Sequence, residues 1–126
     1  MTTTARWTIL AAVSLGLCGA CSPGGRGLCQ RLKDEDPAVR RQAVIEAGQS
    51  RDAQAVPLLV DCLEDSEGDI RFFAILALEK ITGTTMGYKY YADFAERRQA
   101  VNRWREWLDE HPGGQQWAQA PVKSGP

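Results

Sequence analysis

Apolar residues in the middle of this chain recur at helical spacing, and no stretch alternates as a half-buried strand would. Val56, Leu59, Val60 and Leu63 stand at i, i+3, i+4 and i+7, one face of a helix. Val39, Ala43 and Ala47 share a face upstream, and Ile70, Ala74, Leu78 and Ile81 share one downstream. Asp36-Pro37 reads as a helix start, because Asp can accept from the free N–H groups and Pro lacks a donor where none is needed. From Phe72 to Leu78 no residue is polar. That predicts a central helix, covered by the first repeat on one flank and by the C-terminal helix on the other. Gly83 is its stop. A last helix is expected from Asp93 to Glu110, with Phe94, Val101, Trp104 and Leu108 near one stripe. Tyr88, Tyr90 and Tyr91, in the connection before it, are expected to pack beneath with hydroxyls toward water.

The pattern also repeats. Residues 28–48 and 59–79 align without a gap. Leu28 falls on Leu59, Leu32 on Leu63, Asp34 on Asp65, Arg40 on Arg71 and Ala43 on Ala74. Repeats of this length are stacked supersecondary units, each burying its apolar face against the next. Such stacks present extended surfaces to partners and seldom carry chemistry of their own.

The N-terminus reads differently. Arg6 is followed by an uncharged apolar run, Trp7 to Leu17, well short of the roughly 20 residues that span a bilayer. Small residues Cys18-Gly19-Ala20 precede Cys21, the anatomy of a secretory signal with cleavage after Ala20. Leu17-Cys18-Gly19-Ala20-Cys21 resembles a bacterial lipoprotein signal, with Cys18 where the family usually has Leu. The resemblance implies removal of residues 1–20, lipid attachment at Cys21 and tethering to a membrane on its extracytoplasmic face. Ser22, rather than Asp, implies the outer membrane if the organism has two. Plain secretion and an uncleaved anchor are the alternatives. Residues 21–27, rich in Gly and Pro, then form a flexible linker, residues 28–110 the helical domain and residues 111–126 a disordered tail. Trp117 stands alone in that tail, an idle aromatic or a short contact for a partner.

Charge narrows the function classes. The chain has 15 basic and 16 acidic residues, with both signs interspersed, so it offers no broad basic field to nucleic acid. His111, the one His, lies at the end of the last helix, where it can interact with the helix dipole. It lacks the clustered ligands a metal needs. No phosphate loop or nucleophile motif occurs. No cofactor, metal or catalytic residue is therefore expected. Cys29 and Cys62 read as small packed residues or, in an oxidising compartment, as a disulfide. Trp104 and Trp107 read as an end cap of the stack or as an aromatic platform.

Leu32-x-Asp34-x-Asp36-Pro37-x-Val39-Arg40-x-x-Ala43 is similar to the HEAT-like repeat of the bilin-lyase type. Residues 63–74 repeat it, with Glu67-Gly68 in place of Asp36-Pro37. The Gly87-Tyr88 loop and the following Arg/Trp helix resemble the ending of small bacterial HEAT-repeat lipoproteins. The resemblance implies an all-α fold, a short α-solenoid of about two HEAT-like helix pairs plus a C-terminal capping helix. It gives Asp34, Asp36, Arg40, Asp65 and Arg71 structural roles, with Asp34 or Asp36 pairing Arg40 and Asp65 pairing Arg71; anion contact by the two arginines is the alternative. Arg41 and Phe72 share one repeat position and are the candidate protein contacts, against the alternative of solvated or packed side chains. The resulting expectation is a membrane-tethered scaffold or adaptor with a protein partner. The alternatives are a ligand-handling or lyase-like protein and a structural subunit of an envelope complex.

Overall fold

A computed structural model describes residues 26–112. The described residues form helices and turns, with no strand. In chain order they are α1 (Leu28–Arg31), α2 (Pro37–Ser50), a 3-10 turn at Ala53–Ala55 leading into α3 (Val56–Cys62), α4 (Gly68–Thr82) and α5 (Phe94–Glu110). The fold is a short α-solenoid: α1 with α2 is the first pair, α3 with α4 the second, and α5 closes the end.

Local chemistry sets each boundary. Asp36 accepts from Ala38 N at 2.9 Å and Pro37 opens α2. Asp52 accepts from Gln54 N and Asp93 from Glu96 N, so the turn before α3 and the start of α5 are capped in the same way. α4 lacks such a side-chain cap at Glu67. Instead Asp65 accepts from Glu67 N at 3.0 Å, as Asp34 accepts from Asp36 N at 3.0 Å one repeat earlier. Gly83 ends α4 with a φ of 80°, where a side chain would be strained.

The core lies between the two layers. Leu59, Leu63, Ile70, Leu78, Val44 and Val56 are fully buried, with Trp104 the largest side chain among them. α2 and α4 pack most extensively on each other. Small residues mark both helices: Ala43 and Ala47 of α2 and Ala74 and Ala77 of α4 are buried, and Gly48 meets Ala77. A Cβ at Gly48 would meet Ala77 Cβ at 3.0 Å and Cα at 3.1 Å, so glycine lets the two backbones approach there.

Three expectations change. α4 is sandwiched against α2 and α3, but α5 lies against α3, so among the described residues α4 keeps an open flank. Leu76 is accordingly 37% exposed inside the run that read as buried all round. Phe94 turns to solvent and is 63% exposed, leaving Ala100, Val101 and Trp104 as the buried stripe of α5. Tyr88 points inward rather than to water: its hydroxyl donates to Leu63 O at 2.5 Å. One repeat earlier the equivalent carbonyl, Leu32 O, receives the Cys62 thiol at 3.9 Å. Tyr88 therefore takes over, at the end of the stack, the task that the next repeat's helix performs inside it. α5 fixes that loop in place, since Trp104 Nε1 donates to Thr85 O at 3.2 Å and Arg103 Nε to Met86 O at 2.9 Å.

Candidate protein-interaction face

The repeat arginines are fixed by the turns. Arg40 Nη1 donates to Asp34 O at 2.8 Å and to Glu35 O at 3.0 Å, folding back over the turn that precedes its own helix. Its other edge reaches into the next repeat, with Nε to Asp65 Oδ2 at 2.8 Å and Nη2 to Asp65 Oδ1 at 3.0 Å. This is a two-pronged pair with side-chain exposures of 17% and 8%. Burial pushes the Asp65 carboxyl upward, but the Arg40 hydrogen bonds, the Glu67 N–H and the charges of Arg40 and Arg71 outweigh it and hold Asp65 below its ordinary value. Hydrogen bonding to Asp65 raises Arg40 in turn.

The expected pairings are thus rearranged. Arg40 joins Asp65 of the following repeat rather than Asp34 or Asp36 of its own. Asp36 is a helix cap. Asp34 holds its turn by accepting Asp36 N, which is the main cause of its lowered value, and pairs with Arg26. Arg71 Nη1 copies Arg40 by donating to Asp65 O at 2.7 Å and Ser66 O at 3.0 Å. It does not bond the Asp65 carboxylate, whose oxygens face Arg40. The geometric reason is the offset of one repeat: the outer edge of the Arg40 fork points forward along the stack to Asp65.

The outer surface of α2 and α4 carries the candidate contacts. Arg41 lies there but is tied across the helices to Asp69, Nε to Oδ2 at 2.5 Å. Phe72 is half-buried and forms the centre of an aromatic row. Its ring lies 5.3 Å from Phe73 and 4.9 Å from Tyr90, and Tyr90 lies 5.2 Å edge-on from Tyr91. Tyr91 is 73% exposed. At the Phe73 end the row runs into a shallow groove over Gly48, lined by Val44, Ile45, Phe73, Leu76 and Ala77, with Gln49 and Lys80 at its rim. The sequence reading did not single out Tyr90, Tyr91, Phe73 or Leu76 as contacts. The signal was present in the α4 spacing, where Asp69, Phe72, Phe73, Leu76 and Lys80 share one side of the helix.

The remaining candidates fall outside this face. Cys62 is buried, and burial above all, with Asp65 and Asp61 nearby, pushes its thiol up to about 12. Cys29 is exposed rather than packed, and both thiols are free. Trp104 and Trp107 pack edge-on at 5.6 Å. Trp107 stacks on His111 at 4.6 Å, and His111 Nδ1 lies 2.8 Å from Trp107 O. A carbonyl only accepts, so Nδ1 carries the proton and closes the last turn of α5. Among the described residues no group of His, Cys, Asp and Glu could hold a metal ion, and no helix is long and apolar enough to cross a membrane. Cys21 and Trp117 lie outside the described residues.

Compared with known families, residues 25–103 match HEAT repeats. The chain belongs to the HEAT-repeat family. No curated protein and no solved structure matches it. HEAT repeats are commonly protein-interaction scaffolds; among the described residues the exposed large apolar side chains are Leu76 on α4, Tyr90 and Tyr91 in the loop after it and Phe94 on α5.

Proposed function

We propose that this HEAT-repeat protein is a non-catalytic interaction module, held by lipid at Cys21 on the extracytoplasmic face of a membrane, that binds a protein partner through α2 and α4. One observation carries the binding part. The Phe73–Phe72–Tyr90–Tyr91 row joins the groove over Gly48, and among the described residues no helix covers it. Contiguous exposed aromatic surface beside small polar rims marks interaction sites in soluble domains. The tether part rests on the N-terminal sequence alone, which places Cys21 after an apolar run and two small residues. Two repeats make a small face, so the binding is weak or depends on local concentration, which a shared membrane raises.

The experiment is a crosslinking pull-down of the native full chain from its own membranes, beside Cys21→Ala and Phe72→Ala/Tyr91→Ala versions. The proposal expects one protein enriched with the native chain, lost with the aromatic double variant and reduced when Cys21→Ala leaves the membrane. Equal recovery with the aromatic variant removes the α2–α4 face from the account. A Cys21→Ala chain that stays equally membrane-bound removes the lipid.

A further inference from the structure

The groove over Gly48 has the size of one aromatic ring. Its volume is about 170 Å³, and Val44, Ile45, Phe73, Leu76 and Ala77 wall it. An apolar cavity of roughly 150 Å³ is enough to take a benzene-sized ring. Leu76, on its wall, is 37% exposed, so the groove can be entered from outside. Lys80 is the one charged side chain of the lining. The groove thus suits an uncharged ring.

The chain carries such a ring just beyond its described residues. Trp117 stands five residues past Pro112, and residues 112–122 are uncharged. α5 delivers this stretch to the right end of the stack. Its first turns lie beside Leu63 and Glu64, which lead into α4. Further along, Arg103 and Trp104 donate to Met86 and Thr85, which follow the end of α4. α5 therefore runs in the direction of α4, and the two helices finish at one end of the stack. The groove lies toward that end as well, between the later turns of α2 and of α4. Packed helix axes are about 8–10 Å apart, so the two steps from α5 through α3 to α4 come to about 16–20 Å. Five extended residues span about 17–18 Å, and the side chain adds its own length. Gly113-Gly114 lets the chain turn back on leaving α5. The dimple beside Phe94, rimmed by Glu64, Arg97 and Arg98, is at the other end of α5, about 25 Å away.

We infer that Trp117 docks in the groove of its own chain, its indole between Val44 and Ile45 of α2 and Phe73 and Leu76 of α4, with residues 113–116 strapped over the end of the stack. A shallow groove holds a lone indole weakly, but a short tether presents it at an effective concentration on the order of millimolar. The tail is then an internal competitor: a partner must displace Trp117 before it fills the groove. The docking itself needs no partner; its role as a competitor rests on the reading of α2 and α4 as the binding face.

The test places a benzophenone amino acid at position 117 of the purified full chain. Irradiation should join it to Ile45, Phe73 or Leu76 of the same molecule, with a yield that dilution does not change. Adducts only elsewhere on the domain, or none, overturn the docking. Adducts that link two chains and fade on dilution assign the groove to a second copy and overturn it as well. A second measurement keeps the indole: a labelled synthetic peptide of residues 113–126 is titrated with the native and the Trp117→Ala full chains. A groove nine-tenths filled by its own tail weakens the added peptide about tenfold, so Trp117→Ala should bind the peptide more tightly by about that factor. Equal affinity for the two chains, or binding to neither, overturns the strap. In the membrane pull-down, Trp117→Ala should raise recovery of the partner, and unchanged recovery removes the competition. A partner still lost with Phe72→Ala/Tyr91→Ala when Trp117 does not dock leaves the binding face standing, so the two readings fail separately.

Discussion

Replacing Asp65 by Ala removes more than one interaction at once. Asp65 receives two hydrogen bonds from Arg40 and one from Glu67 N, so it joins the first repeat to the second and closes the turn into α4. Breaking a fully buried pair from one side costs about 3–5 kcal/mol, and an exposed pair is worth about 0–1 kcal/mol. The Arg40 and Asp65 side chains are 17% and 8% exposed, nearer the buried limit. Arg40 keeps its two carbonyl partners, which softens the loss. The balance gives about 2–3 kcal/mol for Asp65→Ala. A domain of this size loses about 4–8 °C of melting temperature per kcal/mol, so the midpoint falls by roughly 8–24 °C. Arg41→Ala is the control: its pair with Asp69 is 38% and 44% exposed, and its loss costs at most about 0.5 kcal/mol. Urea unfolding of the full chain, followed by far-UV circular dichroism and extrapolated linearly, measures both. If the two variants lie within about 0.5 kcal/mol of each other, the claim that the Arg40–Asp65 pair locks the repeats together is wrong.

Acid should act through the same residue. Asp65 is held below its unfolded value, so its contribution is complete above the ordinary carboxylate pKa of about 4 and is lost as pH falls through the lower folded value. Stability should be flat from neutral pH to about 5 and decline below that, and Asp65→Asn should flatten the decline in a pH series of urea midpoints. Tyr88→Phe removes the donor to Leu63 O and should cost about 1–2 kcal/mol in the same assay. It should also raise hydrogen exchange at the 85–88 loop, and an unchanged exchange pattern would mean that Tyr88 does not close the stack. A maleimide at pH 8 should label Cys29 in the folded protein and spare Cys62, which is buried with its thiol pushed up to about 12. Site-resolved mass spectrometry reads both, with urea restoring Cys62.

Much of the fold was legible because its determinants are local. The Asp36-Pro37 start, the Gly83 stop and the Leu59/Val60/Leu63 stripe are properties of neighbouring residues, and the internal repeat shows that such units stack. The pairing of Arg40 was not legible. Asp34, Asp36 and Asp65 are all acids at turn positions, and only the three-dimensional offset between repeats sends the fork forward to Asp65. Tyr88 misled for a related reason. A tyrosine in a polar loop is usually solvated at its hydroxyl, but here the end of the stack leaves Leu63 O in need of a donor. The open flank of α4 was hidden because an all-apolar run reads the same whether or not a neighbouring helix covers it. The candidate contacts Arg41 and Phe72 follow from their shared register, while Tyr90 and Tyr91 lie outside the repeat and come beside Phe72 only through the course of the loop.

The most direct test of the central claim is site-specific photo-crosslinking in native membranes, with the reactive residue placed in turn at Phe72, Leu76, Tyr91 and, away from the face, at Asp61 and Gln99. The account predicts one discrete protein adduct from Phe72, Leu76 and Tyr91 and none from Asp61 or Gln99. Adducts from Asp61 and Gln99 alone, or none from the three face positions, would contradict the assignment of α2 and α4 as the surface by which this protein binds.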